Sequence, residues 1–133
     1  MGICEAAYQA SLKYATERDA FGRKISDFQS ISFKLSDMAM QIEAAKHLVY
    51  NAAYLKDQGK SIIKEAAIAK LFTSELAMNI TTEAIQIHGG YGYIREYNVE
   101  RFFRDAKILE IGEGTSEVQR IIISREILKS LSY

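Results

Sequence analysis

Residues 28–58 read FQSISFKLSDMAMQIEAAKHLVYNAAYLKDQ, and this stretch indicates the fold more directly than any other part of the chain. Its apolar side chains recur at alternating steps of three and four for more than three heptads, which places them on one face of a long α-helix. At 1.5 Å per residue this helix would be about 45 Å long. Gly59 stands where a C-terminal cap belongs. The apolar stripe consists of Phe28, Ile31, Leu35, Met38, Ile42, Ala45, Val49 and Ala52.

A second long helix follows after a short connection. From about Ile62 to His88 apolar side chains repeat mainly every four positions, and Gly89–Gly90 stop the pattern. Because the connection around Gly59 is short, the two helices should lie antiparallel. The second stripe consists of Ile68, Phe72, Leu76, Ile80, Ala84 and Ile87.

The remaining segments add shorter helices. Helices are expected over 2–17, 99–107 and 115–131, with loops over 18–27, 89–98 and 108–114. Asp27, Asn98 and Thr115 precede helical segments and are suited to cap their first turns. The last helix is built on Val118, Ile121, Ile122 and Leu128.

No segment shows a strand pattern, and composition agrees with one helical domain. Residues 1–133 are predicted to form a single all-α domain, an antiparallel up-and-down helical bundle of four to five helices. The chain has no proline, although ordinary usage would give about six or seven, and proline breaks helix interiors.

Charge and cysteine content exclude several classes of function. Lys plus Arg and Asp plus Glu both number 17, so the net charge of zero gives no simple argument for nucleic acid or an anionic membrane as partner. No run of about 18 apolar residues is present, so no membrane insertion is expected. The single cysteine, Cys4, excludes an internal disulfide framework and a Cys-rich zinc site.

Motifs for metal, hydrolase and simple dinucleotide chemistry are missing from the sequence. Di-iron bundles need Glu-x-x-His pairs, and neither His47 nor His88 follows a glutamate by three positions. There is no G-x-S-x-G elbow. Gly90-Tyr91-Gly92 lacks the preceding strand and third glycine of the dinucleotide fingerprint. No metal site is therefore predicted.

Several local features allow a ligand-binding interpretation beside a structural one. Gly89–Gly90 let a ligand approach the backbone, or they only stop a helix. Glu113, between two glycines before a helix start, is suited to a general base, or it is an acid favoured by the helix dipole. Arg18 with Phe21 can clamp a phosphate and cover a ring, or they lie in a surface loop. Two glutamines, Gln29 and Gln86, also allow two interpretations. Each could donate its side-chain amide to a ligand, or each could lie on a solvated helix face.

Taken together, these segments resemble the C-terminal α-helical domain of the acyl-CoA dehydrogenase family. The motif R-x-x-F-G followed by F-Q, then Q-I-x-G-G-x-G, R-D-A and E-G-T-S-E, occurs in the family's order and spacing from roughly Gly2 to Leu131. The matching stretches are YATERDAFGRKISDFQSISFKLSDMAM, IAKLF, EAIQIHGGYGY and VERFFRDAKILEIGEGTSEVQRIII.

The resemblance implies a flavoenzyme activity. Family members use FAD to oxidise acyl-CoA thioesters to trans-2-enoyl-CoA: a glutamate removes the α-proton, hydride passes to flavin N5, and electrons leave to electron-transfer flavoprotein. The matching catalytic base is Glu113, whose backbone N–H would also help polarise the thioester carbonyl, and Gly114 would lie against the substrate. The family tetramer is assembled largely through this domain, so the resemblance also implies a homo-oligomer, a dimer or tetramer.

The resemblance carries FAD contacts over to three parts of the chain. Arg18 would meet the pyrophosphate. Gln29 and residues 86–90 would face the adenosine diphosphate half of the FAD bound by a neighbouring subunit. The start of the last helix would also contact FAD. The implied contact residues are Arg18, Phe21, Phe28, Gln29, Gln86, Ile87, His88, Gly89, Gly90, Thr115, Ser116 and Glu117. Two departures from many relatives are Ala20, in place of a hydroxyl residue, and Gly112, in place of a tyrosine, which opens the site wall.

Complete members of the family place an N-terminal helical domain and a middle β domain before this one. The chain is therefore expected to be a fragment that folds as a bundle but has no appreciable dehydrogenase activity and weak flavin affinity. Two other interpretations are an acyl-CoA oxidase-like flavoprotein of the same fold and a non-catalytic helical module for self-association. Bacterial cytoplasm and mitochondrial matrix both suit such a protein.

Overall fold

The computed structural model describes residues 1–129 and 131, and five α-helices account for most of them. The helices are α1 (Gly2–Glu17), α2 (Gln29–Asp57), α3 (Ile63–His88), α4 (Val99–Ile111) and α5 (Ser116–Lys129). A small antiparallel hairpin of β1 (Asp19–Ala20) and β2 (Arg23–Lys24) lies between α1 and α2. The 3-10 turns Ile25–Asp27 and Gly89–Tyr93 precede α2 and follow α3. The all-α helical bundle predicted from the sequence is confirmed.

Helix α3 lies at the centre of the bundle. It packs against α1, α2, α4 and α5, so its buried side chains surround its axis and are not confined to one stripe. Many of them are small, which lets neighbouring helices approach closely. The buried residues of α3 are Ala67, Ala69, Ser74, Leu76, Ala77, Ile80, Thr81, Ala84, Ile87 and His88.

Two members of the stripe predicted for α3 are not part of the buried core: Ile68 is half-buried, and Phe72 is 39% exposed. A stripe with four-residue spacing turns by about 40° around the helix axis at every step, because each residue turns by about 100°. Phe72 therefore faces a different side of α3 from Ile80 and Ala84, which are buried.

The predicted stripe of α2 faces α3 and α1. Five of its members are buried: Leu35, Met38, Ile42, Ala45 and Ala52. The antiparallel arrangement is confirmed by an ion pair between Lys34, near the start of α2, and Glu83, near the end of α3.

The end of α2 is fixed by a Schellman motif, as the position of Gly59 predicts. Gly59 has a φ of +68°. Its N–H donates to the Lys56 carbonyl at 2.9 Å, and the Lys60 N–H donates to the Leu55 carbonyl at 3.1 Å. These bonds satisfy carbonyls that the helix itself leaves without partners.

Three expectations about helix ends and loops were wrong. The segment 18–27, predicted as a loop without strands, contains the hairpin and a 3-10 turn, and two-residue strands are too short to show a period of two. Asp27 belongs to that 3-10 turn, so Phe28 takes the N-cap position of α2 without a side-chain bond. Helix α4 continues to Ile111 and not to residue 107, because no glycine interrupts it before Gly112.

The caps predicted for the last two helices differ in outcome. Asn98 occupies the N-cap position of α4 but makes no side-chain capping bond. Thr115 caps α5 as predicted, since its Oγ1 accepts from the Val118 N–H at 3.3 Å. Helix α5 ends at Lys129, and Leu131 lies in a turn.

The stripe expected to bury α5 is largely exposed. Val118, Ile121 and Leu128 are 41%, 55% and 62% exposed, whereas the buried side chains of α5 are Ser116 and Gln119. Helix α5 packs chiefly on α3, and a single neighbouring helix covers only a narrow strip of its surface.

Two deeply buried hydroxyl groups are satisfied within their own helices. Ser11 Oγ donates to the Ala7 carbonyl at 2.8 Å, and Thr81 Oγ1 donates to the Ala77 carbonyl at 2.6 Å. Within residues 1–129 and 131, no helix is both long and apolar enough to cross a membrane. Among the same residues, no three His, Cys, Asp or Glu side chains gather in an arrangement suited to a metal ion.

We expect Gly92→Ala to destabilise the bundle. An added Cβ would lie 2.7 Å from the Ile85 carbonyl oxygen and 2.9 Å from its Cα, so backbone must shift, at a cost of about 1–3 kcal/mol. Urea unfolding of the 133-residue chain measures the change. Gly90→Ala is the matched control, because nothing lies within 4 Å of a Cβ there. Equal unfolding midpoints for the two variants would contradict the expectation.

Candidate active site

The predicted site residues form two groups at opposite ends of α3. One group surrounds the C-terminal end of the helix at His88, and we call this region the Arg18 cleft. The other lies beside the N-terminal half, where the Lys70 side chain reaches residues 112–115, and we call those residues the Glu113 loop. Lys70 and His88 are separated by about 27 Å along the helix axis, at 1.5 Å per residue.

The Arg18 cleft is a cavity of about 510 Å³. Five of the predicted cofactor residues line it together. Arg18 directly follows α1, whereas the other four lie at the end of α3 or just after it. Four further lining residues, Tyr14, Ile25, Tyr91 and Ile94, were not predicted. Tyr14 lies four positions before Arg18, a spacing that places both on one helix face and could have identified it. The lining residues are Tyr14, Arg18, Ile25, Ile87, His88, Gly89, Gly90, Tyr91 and Ile94.

Stacked rings form the floor of the Arg18 cleft. The His88 ring lies parallel to the Tyr14 ring, with centroids 4.3 Å apart, and Tyr97 contacts both rings edge-on. His88 Nδ1 lies 2.7 Å from the Ala84 carbonyl, and because a carbonyl only accepts, Nδ1 carries the proton. Burial lowers the pKa of His88, against the smaller opposing effect of that hydrogen bond. The floor is therefore neutral near pH 7.

Arg18 supplies the positive charge of the cleft. Its guanidinium lies 5.3 Å from the centroid of the Tyr91 ring, and it forms no ion pair within the part of the chain that the structure describes. Gly89 and Gly90 contribute backbone without side chains to the lining, and an added Cβ at either position would have nothing within 4 Å. A cationic fork facing bare backbone suits an anionic, planar ligand.

Four other predicted cofactor residues lie at the same end of α3 but outside the cleft lining. Phe21 is 95% exposed at the tip of the hairpin, where Phe21 and Gly22 both have positive φ (51° and 80°), as a two-residue type I′ turn requires. The Phe21 and Phe28 rings meet edge to face at 6.2 Å. Gln29 and Gln86 are exposed.

Unusual backbone conformations define the Glu113 loop between α4 and α5. Glu113 has a φ of 56° and Gly114 has a φ of 89°. The left-handed region costs an L-residue such as glutamate roughly 1–2 kcal/mol, so surrounding contacts must hold it there. The Gly114 carbonyl accepts from Lys70 Nζ at 2.6 Å and from Gln119 Nε2 at 3.1 Å. The Glu113 carboxylate is exposed and has no hydrogen-bond or ion-pair partner among the described residues.

The start of α5 adjoins this loop. Glu117 has a lowered pKa, first because its own backbone N–H bonds the carboxylate and then because the Thr115 hydroxyl does. Ser116 is 7% exposed, and its Oγ has no hydrogen-bond partner within residues 1–129 and 131. A buried hydroxyl at a helix N-terminus, where the helix dipole is positive, suits a polar or anionic ligand group.

Within the described residues, the bundle thus combines a cationic cleft with an exposed carboxylate on a loop of left-handed backbone. The family model described as "Acyl-CoA dehydrogenase, C-terminal domain" matches residues 1–128. The chain therefore belongs to the acyl-CoA dehydrogenase family.

Individual relatives agree with this family. The chain is 59% identical over 129 residues to the probable acyl-CoA dehydrogenase YngJ of Bacillus subtilis, covering 97% of this chain and 34% of that protein. It is 52% identical, over the same shares, to the caffeyl-CoA reductase-Etf complex subunit CarC of Acetobacterium woodii. The butyryl-CoA dehydrogenase structure from Megasphaera elsdenii matches with a TM-score of 0.94 and 54% identity, over 96% of this chain and 33% of that one. The chain thus spans about a third of the length of the curated relatives it matches.

We expect the stability of the chain to fall as the pH is lowered through 6.5, the ordinary pKa of a histidine. The folded-state pKa of His88 lies below the ordinary value of 6.5, so between these values the unfolded chain binds more protons. The contribution of neutral His88 to the free energy of unfolding is complete above the ordinary pKa of 6.5, and it is lost as the pH falls through the folded-state pKa. Urea unfolding at a series of pH values measures this slope.

His88→Gln should flatten the dependence on pH, because the replacement does not titrate. The control is His47→Gln, which removes the other histidine of the chain, whose side chain is 79% exposed. An identical slope in the parent chain and in His88→Gln would contradict the expectation.

Proposed function

We propose that the chain is the C-terminal domain of an FAD-dependent acyl-CoA dehydrogenase that converts acyl-CoA thioesters to trans-2-enoyl-CoA, with Glu113 as the catalytic base. Family membership supports the class of reaction. The observation that carries the role of Glu113 is the loop itself, in which a carboxylate without a partner stands on a left-handed backbone between two glycines. The N-terminal helical and middle β domains of the family would complete this enzyme.

The glycines on both sides of Glu113 fit a reacting carboxylate. Gly112 and Gly114 carry no side chain that could block a substrate beside it, and Gly114 is proposed to lie against the acyl group. An unpaired carboxylate has both oxygens available to accept a proton from the carbon next to the thioester. When substrate and the other domains cover the loop, water no longer competes for those oxygens.

The residues of both regions fit FAD, which supplies the hydride acceptor when it is bound. In the Arg18 cleft, the guanidinium suits a pyrophosphate, and the bare backbone of Gly89 and Gly90 admits its close approach. At the start of α5, the unpartnered Ser116 Oγ suits a polar group of the cofactor. Thr115 and Glu117 flank this hydroxyl.

The separation of the two regions supports an assembly of several chains. Because the Arg18 cleft and the Glu113 loop are about 27 Å apart along α3, we propose that one chain contacts two FAD molecules, with the cleft serving a neighbouring subunit. Exposed apolar side chains favour self-association: Phe33, Met40 and Tyr54 lie on one face of α2 and are 61%, 64% and 61% exposed. The predicted assembly is a homo-oligomer, either a dimer or a tetramer.

The proposed electron acceptor is electron-transfer flavoprotein, and the name of the relative CarC, a subunit of an Etf complex, supports it. An acyl-CoA oxidase-like enzyme would instead pass electrons to oxygen. Substrate-dependent oxygen consumption in the absence of the flavoprotein distinguishes the two. The bacterial cytoplasm or mitochondrial matrix stays the predicted location.

We expect Glu113→Gln to abolish turnover of acyl-CoA in the flavin-loaded enzyme that contains this domain, while FAD stays bound. Glutamine preserves the size of the side chain but cannot take the α-proton. The measurements are acyl-CoA-dependent reduction of a dye and flavin absorbance. The control is Glu126→Gln, which removes a carboxylate paired with Lys129 on the same helix. Turnover that survives in Glu113→Gln would place the base elsewhere and overturn the proposal.

We expect Ser116→Ala to weaken flavin binding without destabilising the bundle. Leaving a buried hydroxyl unpaired costs about 1–3 kcal/mol, so its removal should not lower the unfolding midpoint of the 133-residue chain. In the complete flavoenzyme, loss of the same hydroxyl should raise the dissociation constant of FAD severalfold. Ser124→Ala on the exposed side of α5 is the control. Unchanged FAD affinity in Ser116→Ala would remove Ser116 from the proposed site.

A further inference from the structure

We propose that Lys70 and Gln119 are positioning residues for Glu113, which they hold in place through two hydrogen bonds to the carbonyl of Gly114. This inference rests on the proposed role of Glu113 as the base and adds the residues that orient it. Both residues lie in stretches that resemble the family, but no cofactor or substrate contact was predicted for either of them.

The Glu113 loop does not hold its own conformation. Glycines on both sides of Glu113 give the backbone wide freedom, and Glu113 itself occupies the left-handed region that side chains disfavour. Its carboxylate has no partner in the described part of the chain, so no side-chain contact of Glu113 fixes its direction. The loop must therefore be held through its backbone.

Two donors from different helices meet at one backbone oxygen of this loop. A carbonyl has two lone pairs, and that of Gly114 accepts from Lys70 Nζ of α3 at 2.6 Å and from Gln119 Nε2 of α5 at 3.1 Å. The Gln119 amide also lies 3.4 Å from the carbonyl oxygen of Glu113. Gln119 thus donates to both residues with left-handed backbone, and Lys70 donates to the second of them, Gly114.

The surroundings of both donors favour this role over a general surface contact. Gln119 is 6% exposed, so its amide is directed into the loop and away from water. Lys70 is half-buried and forms no ion pair among residues 1–129 and 131. Its ammonium instead donates a charge-assisted hydrogen bond to the Gly114 carbonyl. A Cβ at Gly114 would lie 2.8 Å from Gln119 Nε2, which shows how closely the amide fits the glycine.

These hydrogen bonds fix the position of the proposed base relative to α3, the most buried helix of the bundle. Lys70 projects from α3, whose neighbours fix it on all sides, and its ammonium connects that helix to the residue after Glu113. A reacting group that is misplaced by about 1 Å can lose about a hundredfold in rate. Loss of either donor should consequently slow proton removal more than it weakens substrate binding.

The decisive experiment compares Lys70→Met, Gln119→Met and Lys70→Arg in the complete flavin-loaded enzyme. In the two methionine variants we expect kcat to fall about tenfold or more, KM to change little, and the isotope effect with α-deuterated acyl-CoA to rise because proton transfer becomes slower. Amide hydrogen exchange of residues 112–117 should accelerate. Lys70→Arg retains a charged donor and should recover most of kcat.

Lys46→Met is the matched control. Lys46 is a half-buried lysine that joins α2 to Glu5 of α1 and does not touch the Glu113 loop, so its loss should leave the isotope effect and the exchange of residues 112–117 unchanged. If Gln119→Met does not fold, Lys70→Met with its arginine rescue decides the question.

The outcomes separate this inference from the proposed function. If Glu113→Gln keeps its turnover, the proposed function fails and the positioning role fails with it. If Glu113→Gln is inactive while Lys70→Met keeps the parent kcat, isotope effect and exchange rates, only the positioning role is overturned. A loss of kcat in Lys70→Met that Lys70→Arg does not recover, with an unchanged isotope effect, also overturns it.

Discussion

The packing of every other helix against α3 is the constraint on which the rest of the structure depends. Burial on all sides requires that the side chains facing each neighbour be small or apolar, and Ala69, Ala77 and Ala84 meet this requirement. It also requires that buried polar groups find partners nearby. Thr81 and His88 do so by bonding the carbonyls four residues earlier. These bonds allow polar side chains to be buried on α3, both within the helix and at its C-terminal end.

Because α3 is rigidly enclosed, its two ends hold the two candidate regions at a fixed separation. His88 closes the floor of the Arg18 cleft at one end, and Lys70 reaches the Gly114 carbonyl near the other. Neither region is a complete pocket for a dinucleotide flavin and an acyl-CoA. Each region presents a few groups that suit a ligand: a cation and bare glycine backbone in the Arg18 cleft, and, beside the Glu113 loop, a carboxylate and a hydroxyl that have no partner among the described residues. Under the proposed function, the fold would serve as a scaffold that supplies these groups to sites completed by other domains and subunits.

The sequence predicted the long helices well because their signals are local. Helix α2 begins and ends within one residue of the prediction, and the glycine after it makes the expected Schellman motif. Predictions failed where a feature is too short to repeat or where tertiary contacts decide. The two-residue strands have no period to detect. The stripe of α5 lies largely in solvent because, within the part of the chain that the structure describes, α3 is the only extensive neighbour of that helix.

By itself, the sequence determined where the chain is helical, which glycines end or bend it, and which motifs place it in its family, since all of these depend on residues within a few positions of one another. Only the tertiary structure decided which residues meet. It brought Arg18 to His88 and Gly90 in one cleft, and Lys70 to a carbonyl 44 positions later in the chain. Contacts between such distant residues depend on how whole helix faces pack, and neither helical periodicity nor a short motif contains that information.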